Sequence, residues 1–587
     1  MILISLAFSI WTLPQDLVWG DSPELAAGAW ILGVPHPTGY SFYMLALRVF
    51  QALPFGTVIF RGHLFSAVCT ALACGILYRF LGLCLEAAYA KSRALSLVPA
   101  FAAALAFSIS AGVWPQPVIT EVYAFFGLQF ALALWLLGHF LRSPAAALAP
   151  LLFLMGWMAT HHRLAVFLTG GIFVMMMWRV RTKENSLSGN HNEETSEPCV
   201  SLARMIPQGL FLLVPLFLLA YFPLRAMKNP AVNWYDPETW QRWYQLISGH
   251  MYADLFRQGC DRVGRLYQTY GLGQVVLDYL FLVFISHAGY GVLGLAAAAG
   301  WIVLFHRMPW LGGLSAYLYL AHLSFLWIYP VGDRSVFLFP ALLVLSLPLA
   351  FGLAGGLNLI RRATLSRPAY GLILAAVALC AVLLPLRTRM DLDDLLARKH
   401  CTPANFSLWD GGLRQRLEFA RDRSAADYAR HVWRRVPAGV PLITGLQENS
   451  ADNELYPLLY QQIVEKRGRR VPVIGAGFLY LDWYRDRIAR ARRVSLPPRQ
   501  DRKHQTRGEW LEDVWQNLIT PLREKGPVFA TSYPKGPLPE IWKKQGPPKI
   551  DQWIPIDRTR VAPSYQPYLP EGFLYVFPKQ ERNGNGK

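Results

Sequence analysis

The chain has 587 residues, 53% of them apolar and only 16% charged, with a formal net charge of +19. That length is too great for one compact domain, and the apolar residues come in blocks long enough to cross a bilayer, which takes roughly 20 residues in a helix. A polytopic membrane protein is expected; nucleic-acid binding is not, because no recognition helix, zinc-finger spacing or RNP-like strand accompanies the basic residues.

The first apolar segment, near residues 1–13, has no charged leader and no small-residue cleavage site, so it reads as an anchor rather than a signal peptide. It is short for a span, which leaves open a start further upstream. Directly after it, WGDSPELAAGAWILGVPHPTGYSFY (19–43) places Asp21 and Glu24 three residues apart, on one face of a helix, with His36 held between two prolines. Such a cluster beside the membrane is where an enzyme would keep a catalytic base. Ser22-Pro23-Glu24 is also a good helix start with an acid in its first turn, so Glu24 has a second reading as a helix cap. Further spans are expected near 62–84, 94–113, 121–140, 146–160, 163–178, 206–224, 288–305, 310–330, 335–358 and 369–386. That makes about eleven, with room for an extra helix in 274–305.

The positive-inside rule orients these spans. Lys91, Arg93, Arg142, the Arg179–Lys183 group, Arg307, Arg361, Arg362 and Arg367 fall on one side, taken as cytoplasmic, together with the polar, flexible run Lys183–Pro198. The first loop, the Trp114–Tyr123 turn, His161–His162–Arg163, the Arg225–Gly273 loop and Gly332–Asp333–Arg334 then all emerge on the opposite face. Ionisable groups at the membrane edge are costly, and their convergence points to a functional site. Snorkelling to lipid headgroups is the competing reading for any single arginine or histidine, and a weaker one for carboxylates.

Beyond residue 387 the sequence turns charged and proline-punctuated. Short apolar runs (Val440–Thr444, Val471–Ile474, Val528–Thr531, Phe573–Phe577) alternate with helix-like stretches at 411–435, 451–466 and 508–523. The expected organisation is a membrane domain over 1–387 and a soluble α/β domain with a mostly parallel sheet over 388–587, outside the cytoplasm. Thr444–Asn449 would lie at the C-terminal edge of a strand, the usual ligand edge of such sheets. No GxGxxG or GxxxxGK[ST] supports a nucleotide, so this domain reads as an acceptor-positioning module or a structural lid. The seven cysteines form no CxxC pattern, and no HExxH occurs, so neither a zinc nor a redox site is expected.

The 19–43 stretch resembles the first-loop signature of the polytopic family that includes the protein O-mannosyltransferase transmembrane protein 260. WPQPVITEVYAF (114–125), GWMATHHRLAVFL (156–168), YFPLRAMKNPAVNWYDPETW (221–240) and VGDRSVFLFPALL (331–343) resemble it in the same order, so the likeness covers roughly 15–345. Two departures stand out: HPTG where a second proline is common, and Tyr235 where glycine often follows Asn-Trp. The resemblance implies a GT-C-like, α-helical polytopic membrane fold and an inverting glycosyltransferase that uses a polyprenyl-phosphate sugar and a protein or glycan acceptor. A mannose-like hexose is the expected sugar, and an integral protein of a bacterial inner membrane, with its active site on the non-cytoplasmic side, the expected setting.

Such a reaction needs a base for the acceptor hydroxyl and cations for the departing phosphate. Asp21 is the base implied by its place in the motif, with Glu24 holding the acceptor or orienting Asp21. Arginine forks suit phosphate oxygens, which makes Arg163, Arg225 and Arg334 the donor-phosphate candidates, with His162 beside them. His36 and Glu121 are placed to line the substrate site. Trp234 and Tyr235, flanked by polar residues in an aromatic stretch, are the sugar-contact candidates, although most such aromatics form interfacial belts. No acidic or histidine cluster has metal-ligand spacing, so a transfer without metal or cofactor is expected. A transporter or flippase of a lipid-linked anion, and a non-catalytic scaffold, are the competing classes; a transporter should show repeats and midplane polar groups.

Overall fold

A computed structural model describes residues 1–89, 93–110, 112–189, 207–288, 290, 293–329, 334–362, 412–447, 451–479, 481–492, 507–534, 539–545, 548–553, 569–570 and 572–580, with residues 369, 372–373, 375–377, 379 and 556. Four helices are long and apolar enough to cross a membrane: Val58–Ala88, Val122–Arg142, Pro309–Ile328 and Leu338–Arg362. Six shorter apolar helices, among them Ile2–Trp11, Leu95–Ile109 and Leu293–Arg307, fall on six further expected spans. This is an integral membrane protein. The last expected span, 369–386, and the expected domain boundary near 388 fall largely outside the described residues.

Local chemistry sets the helix starts. Thr57 accepts the Phe60 N–H at the head of Val58–Ala88, Glu121 accepts the Val122 N–H, and prolines open the helices Pro144–Ala159 and Pro309–Ile328. Lipid supplies no hydrophobic drive between helices, so close backbone approach through small residues holds the bundle. Gly300 and Gly352 do this where Leu293–Arg307 crosses Leu338–Arg362. A methyl group on Gly300 would come within 1.7 Å of the Pro348 carbonyl, and one on Gly352 within 1.9 Å of the Ala296 carbonyl.

One stretch departs from the sequence reading. Residues 253–273, expected as loop, are the first part of a 36-residue helix, Ala253–Ala288, interrupted at Gly271 (φ 78°). Polar and apolar residues mix there without a continuous apolar run, which hid the helix.

The C-terminal part carries a five-stranded sheet in the order β2-β1-β3-β5-β4, with β1 Leu442–Thr444, β2 Val473–Gly475, β3 Val528–Ala530, β4 Lys549–Trp553 and β5 Phe573–Phe577. The three central and edge strands β2, β1 and β3 are parallel, but β5 runs antiparallel to both β3 and β4. The sheet is therefore mixed rather than mostly parallel. The unexpected strand β4, KIDQW, is a half-polar edge with no apolar run to announce it. The domain docks on the first loop through a shared apolar core that joins Trp19, Leu25 and Trp234 to Tyr428, Tyr456 and Trp483. The Trp19 indole donates to Ser424 Oγ (2.7 Å), the Gly20 N–H to Asn453 Oδ1 (2.8 Å) and the Ile59 N–H to the Tyr460 hydroxyl (2.9 Å).

Gly300→Val and Gly352→Val are each expected to cost stability at the upper end of about 1–3 kcal/mol, since backbone rather than side chain must move. Gly356→Ala, where a methyl group meets nothing within 4 Å, is expected to leave the melting temperature in detergent unchanged or raised.

Candidate active site

Asp21 is the N-cap of the Ser22–Ile31 helix, and its carbonyl accepts the Leu25 N–H at 2.9 Å. Its carboxylate makes no capping hydrogen bond. Pro23 then opens the helix and brings Glu24 inward, where it is only 1% exposed. Buried carboxylates need partners, and Glu24 takes both from one residue: the His36 backbone N–H at 3.0 Å and the ring Nδ1 at 2.8 Å. The other ring nitrogen, Nε2, lies 3.7 Å from Asp21 Oδ2. One imidazole thus links the two acids.

Burial alone would lower the His36 pKa, but the charges of Glu24 and then Asp21 outweigh it, and the group is pushed up to about 10. Burial also raises the Asp21 carboxyl above its ordinary value, with His36 pulling it down and Glu24 pushing it up. Asp21 keeps 36% of its side chain accessible and lines a cavity.

This cavity, about 520 Å³, is walled by Asp21, His36, Tyr40, Tyr123, His162 and Arg163, and bordered by the Ser248–Phe256 segment with Tyr329 and Phe337. Four of the five loops expected on one face contribute directly, and the fifth is flanked by Tyr329 and Phe337. His162 accepts the Leu164 N–H at Nδ1 (3.2 Å), which leaves Nε2–H as a donor. Burial, then neighbouring positive groups, push its pKa down to about 3, so it acts as a neutral imidazole. The exposed Arg163 is steadied by the Ile247 carbonyl at 3.3 Å.

The remaining expected residues are placed differently. Arg225 donates to the carbonyls of Leu32 (2.6 Å) and Ile31 (3.0 Å), so it fastens the end of the Ser22–Ile31 helix instead of lining the cavity. Arg334 opens a 3-10 turn, Arg334–Phe337; its side chain and Asp333 lie outside the described residues. Glu121 caps its helix, while Tyr123 two residues on reaches the wall. Trp234 is joined to the first loop through its N–H and the Val34 carbonyl (2.9 Å) and lines a second cavity on the Glu24 side. Tyr235, at φ 59°, stacks on Trp483.

Sequence reading missed Asp452, which the helix Ala451–Ile463 carries next to Asn453, the residue bound to Gly20. Its side chain remains accessible, yet burial between the domains and the charge of Asp21 push it up to about 7, against a hydrogen bond from Tyr456. Nothing local marks it: it lies more than 400 residues from Asp21 in a helix rich in acids.

Residues 21–186 match the family model of the protein O-mannosyl-transferase TMEM260 N-terminal domain. The mouse protein O-mannosyl-transferase TMEM260 is 33% identical over 136 residues, 23% of this chain; the aligned part spans 18% of that protein's length. The resemblance is thereby shown for the N-terminal region. Among solved structures, ArnT from Cupriavidus metallidurans bound to undecaprenyl phosphate aligns with a TM-score of 0.43 at 15% identity, over 82% of this chain and 90% of that one. The Archaeoglobus fulgidus oligosaccharyltransferase in complex with zinc and sulfate aligns with a TM-score of 0.44 at 12% identity, over 83% of this chain and 66% of that one.

Because the folded His36 pKa of about 10 lies above its model-peptide value of 6.5, the imidazolium contributes stability that is fully present below pH 6.5 and lost as pH rises toward 10. The melting-temperature difference between the wild type and His36→Gln is expected to be largest near pH 6 and to shrink steadily toward pH 9.5. A difference that is flat across this range contradicts the assignment.

Proposed function

We propose that this chain is a membrane glycosyltransferase that moves a mannose-like hexose from a polyprenyl-phosphate carrier to a protein or glycan hydroxyl on the non-cytoplasmic face. The observation that carries this reading is the uncapped, loosely paired Asp21 carboxylate facing a cavity under convergent loops, inside the region that matches the TMEM260 domain.

In this scheme the donor's sugar phosphate sits in the larger cavity, with Arg163 and the His162 N–H toward the phosphate oxygens. The acceptor oxygen attacks the anomeric carbon on the face opposite the phosphate, and its proton passes to Asp21. The new C–O bond forms as the bond to the phosphate oxygen breaks, and the lipid phosphate departs with the electron pair. Configuration inverts in this single displacement. Glu24 and the His36 imidazolium position Asp21 and take no proton from the acceptor.

General-base catalysis contributes roughly 10²–10⁴ in rate. Asp21→Asn is expected to lose transfer from polyprenyl-phosphate mannose by about that factor while the labelled donor still binds. Undiminished transfer in Asp21→Asn removes Asp21 from the reaction. Since Asp21 must be ionised to act, its raised pKa moves the acid limb of the rate profile above the ordinary aspartate range of about 4.

A further inference from the structure

The helix Trp240–Ser248 ends at the larger cavity, where Gly249 caps it in the left-handed conformation at φ 52° and ψ 43°. The Gly249 N–H closes the last turn on the Leu246 carbonyl (3.0 Å), and its own carbonyl accepts the Tyr252 N–H (2.9 Å), which brings the chain round to Tyr252 on the same wall. The last carbonyls of a helix have no partner within it and attract cations. Ile247 offers one of them to Arg163 at 3.3 Å, the one hydrogen bond of the Arg163 guanidinium among the described residues. A guanidinium carries several more N–H donors, which are left for a ligand of the cavity that Arg163 lines. The left-handed backbone alone would favour glycine at 249, but a second constraint acts there. A methyl group on Gly249 would lie 3.1 Å from Arg163 Nη2, 3.2 Å from Arg163 Cζ and 3.2 Å from Tyr252 Cδ2.

We infer that Gly249 is a positioning residue: its missing side chain lets the end of the Trp240–Ser248 helix hold the Arg163 guanidinium at the cavity wall, where it takes the phosphate of a lipid carrier. The turn at 249 is closed by backbone hydrogen bonds on both sides, whereas the guanidinium is the far end of a flexible side chain. An added methyl group therefore moves the guanidinium first, and the bond to Ile247, already 3.3 Å long, is the contact that gives way. A fork that grips phosphate depends on where its N–H groups point, so a small displacement weakens the grip while the charge stays in the site.

The choice of phosphate rests on the glycosyltransferase reading, but binding of undecaprenyl phosphate is measurable without a sugar or turnover, by native mass spectrometry on the full-length protein in detergent. Arg163→Gln is expected to weaken that binding about tenfold, the order for one hydrogen bond to a charged group. Gly249→Ala is expected to weaken it about fivefold alone and to add nothing in the Arg163→Gln background, as a residue acting only through Arg163 must. Gly439→Ala imposes left-handed strain at φ 83° where a methyl group meets nothing within 4 Å, and is expected to lower the melting temperature while binding stays unchanged. Gly249→Asn, a residue that tolerates this backbone, completes the cycle if Gly249→Ala does not fold. An equal loss in both backgrounds, no loss in either, or binding untouched by Arg163→Gln overturns the inference. Binding that follows the cycle in a protein that transfers no sugar overturns the proposed reaction alone.

Discussion

The bond between Glu24 and His36 is the constraint on which the site depends. A carboxylate that is 1% exposed is tolerable only if its desolvation is offset by good partners, and both of its partners come from the far side of the same loop. That contact closes residues 24–36 into a fixed unit, and it sets the ring so that Nε2 faces Asp21. Removing either partner alone leaves an uncompensated buried charge, a loss of about 3–5 kcal/mol in comparable pairs. Arg225 and the Val34–Val232 backbone hydrogen bond hold the other end of the unit. The residue expected to grip phosphate is instead part of the frame around Asp21 and Glu24.

That frame also explains why the C-terminal domain belongs to the site. The docking domain brings Tyr428, Tyr456 and Trp483 into one apolar core with Trp19 and Leu25 of the loop. The charge pattern of the interface reinforces the register. Asp236 is met by Arg242 at 3.2 Å from its own loop and by Arg490 at 3.1 Å from the docked domain, and Arg242 reaches Asp486 at 2.7 Å. Asp236 is buried while Arg490 and Asp486 are more than half exposed, and as a network across two domains these pairs fix which helix faces the 231–236 segment.

What was legible in the sequence follows from which signals are local. Apolar blocks are local, and ten of the expected spans coincide with apolar helices. The Asp21–Glu24 spacing and the histidine between prolines are local too, and the structure places all three side chains within one contact network. The 253–273 part of the Ala253–Ala288 helix was not legible because its apolar residues follow no clean period, and β4 because an edge strand need bury only one face. Asp452 and Trp483 were beyond reach for a different reason. Their proximity to the first loop is created by domain docking, and no spacing within the chain encodes it.

The unequal distances around His36 divide the labour between the two acids. Glu24, buried and in direct 2.8 Å contact with the ring, anchors it, while Asp21, 3.7 Å away, is held less closely and lines the cavity. The same imidazolium pulls the Asp21 pKa down against burial and against the like charge of Glu24. The intermediate geometry, set by the proline-flanked loop, leaves one carboxylate anchored and the other at the cavity wall, where the proposed reaction needs a base.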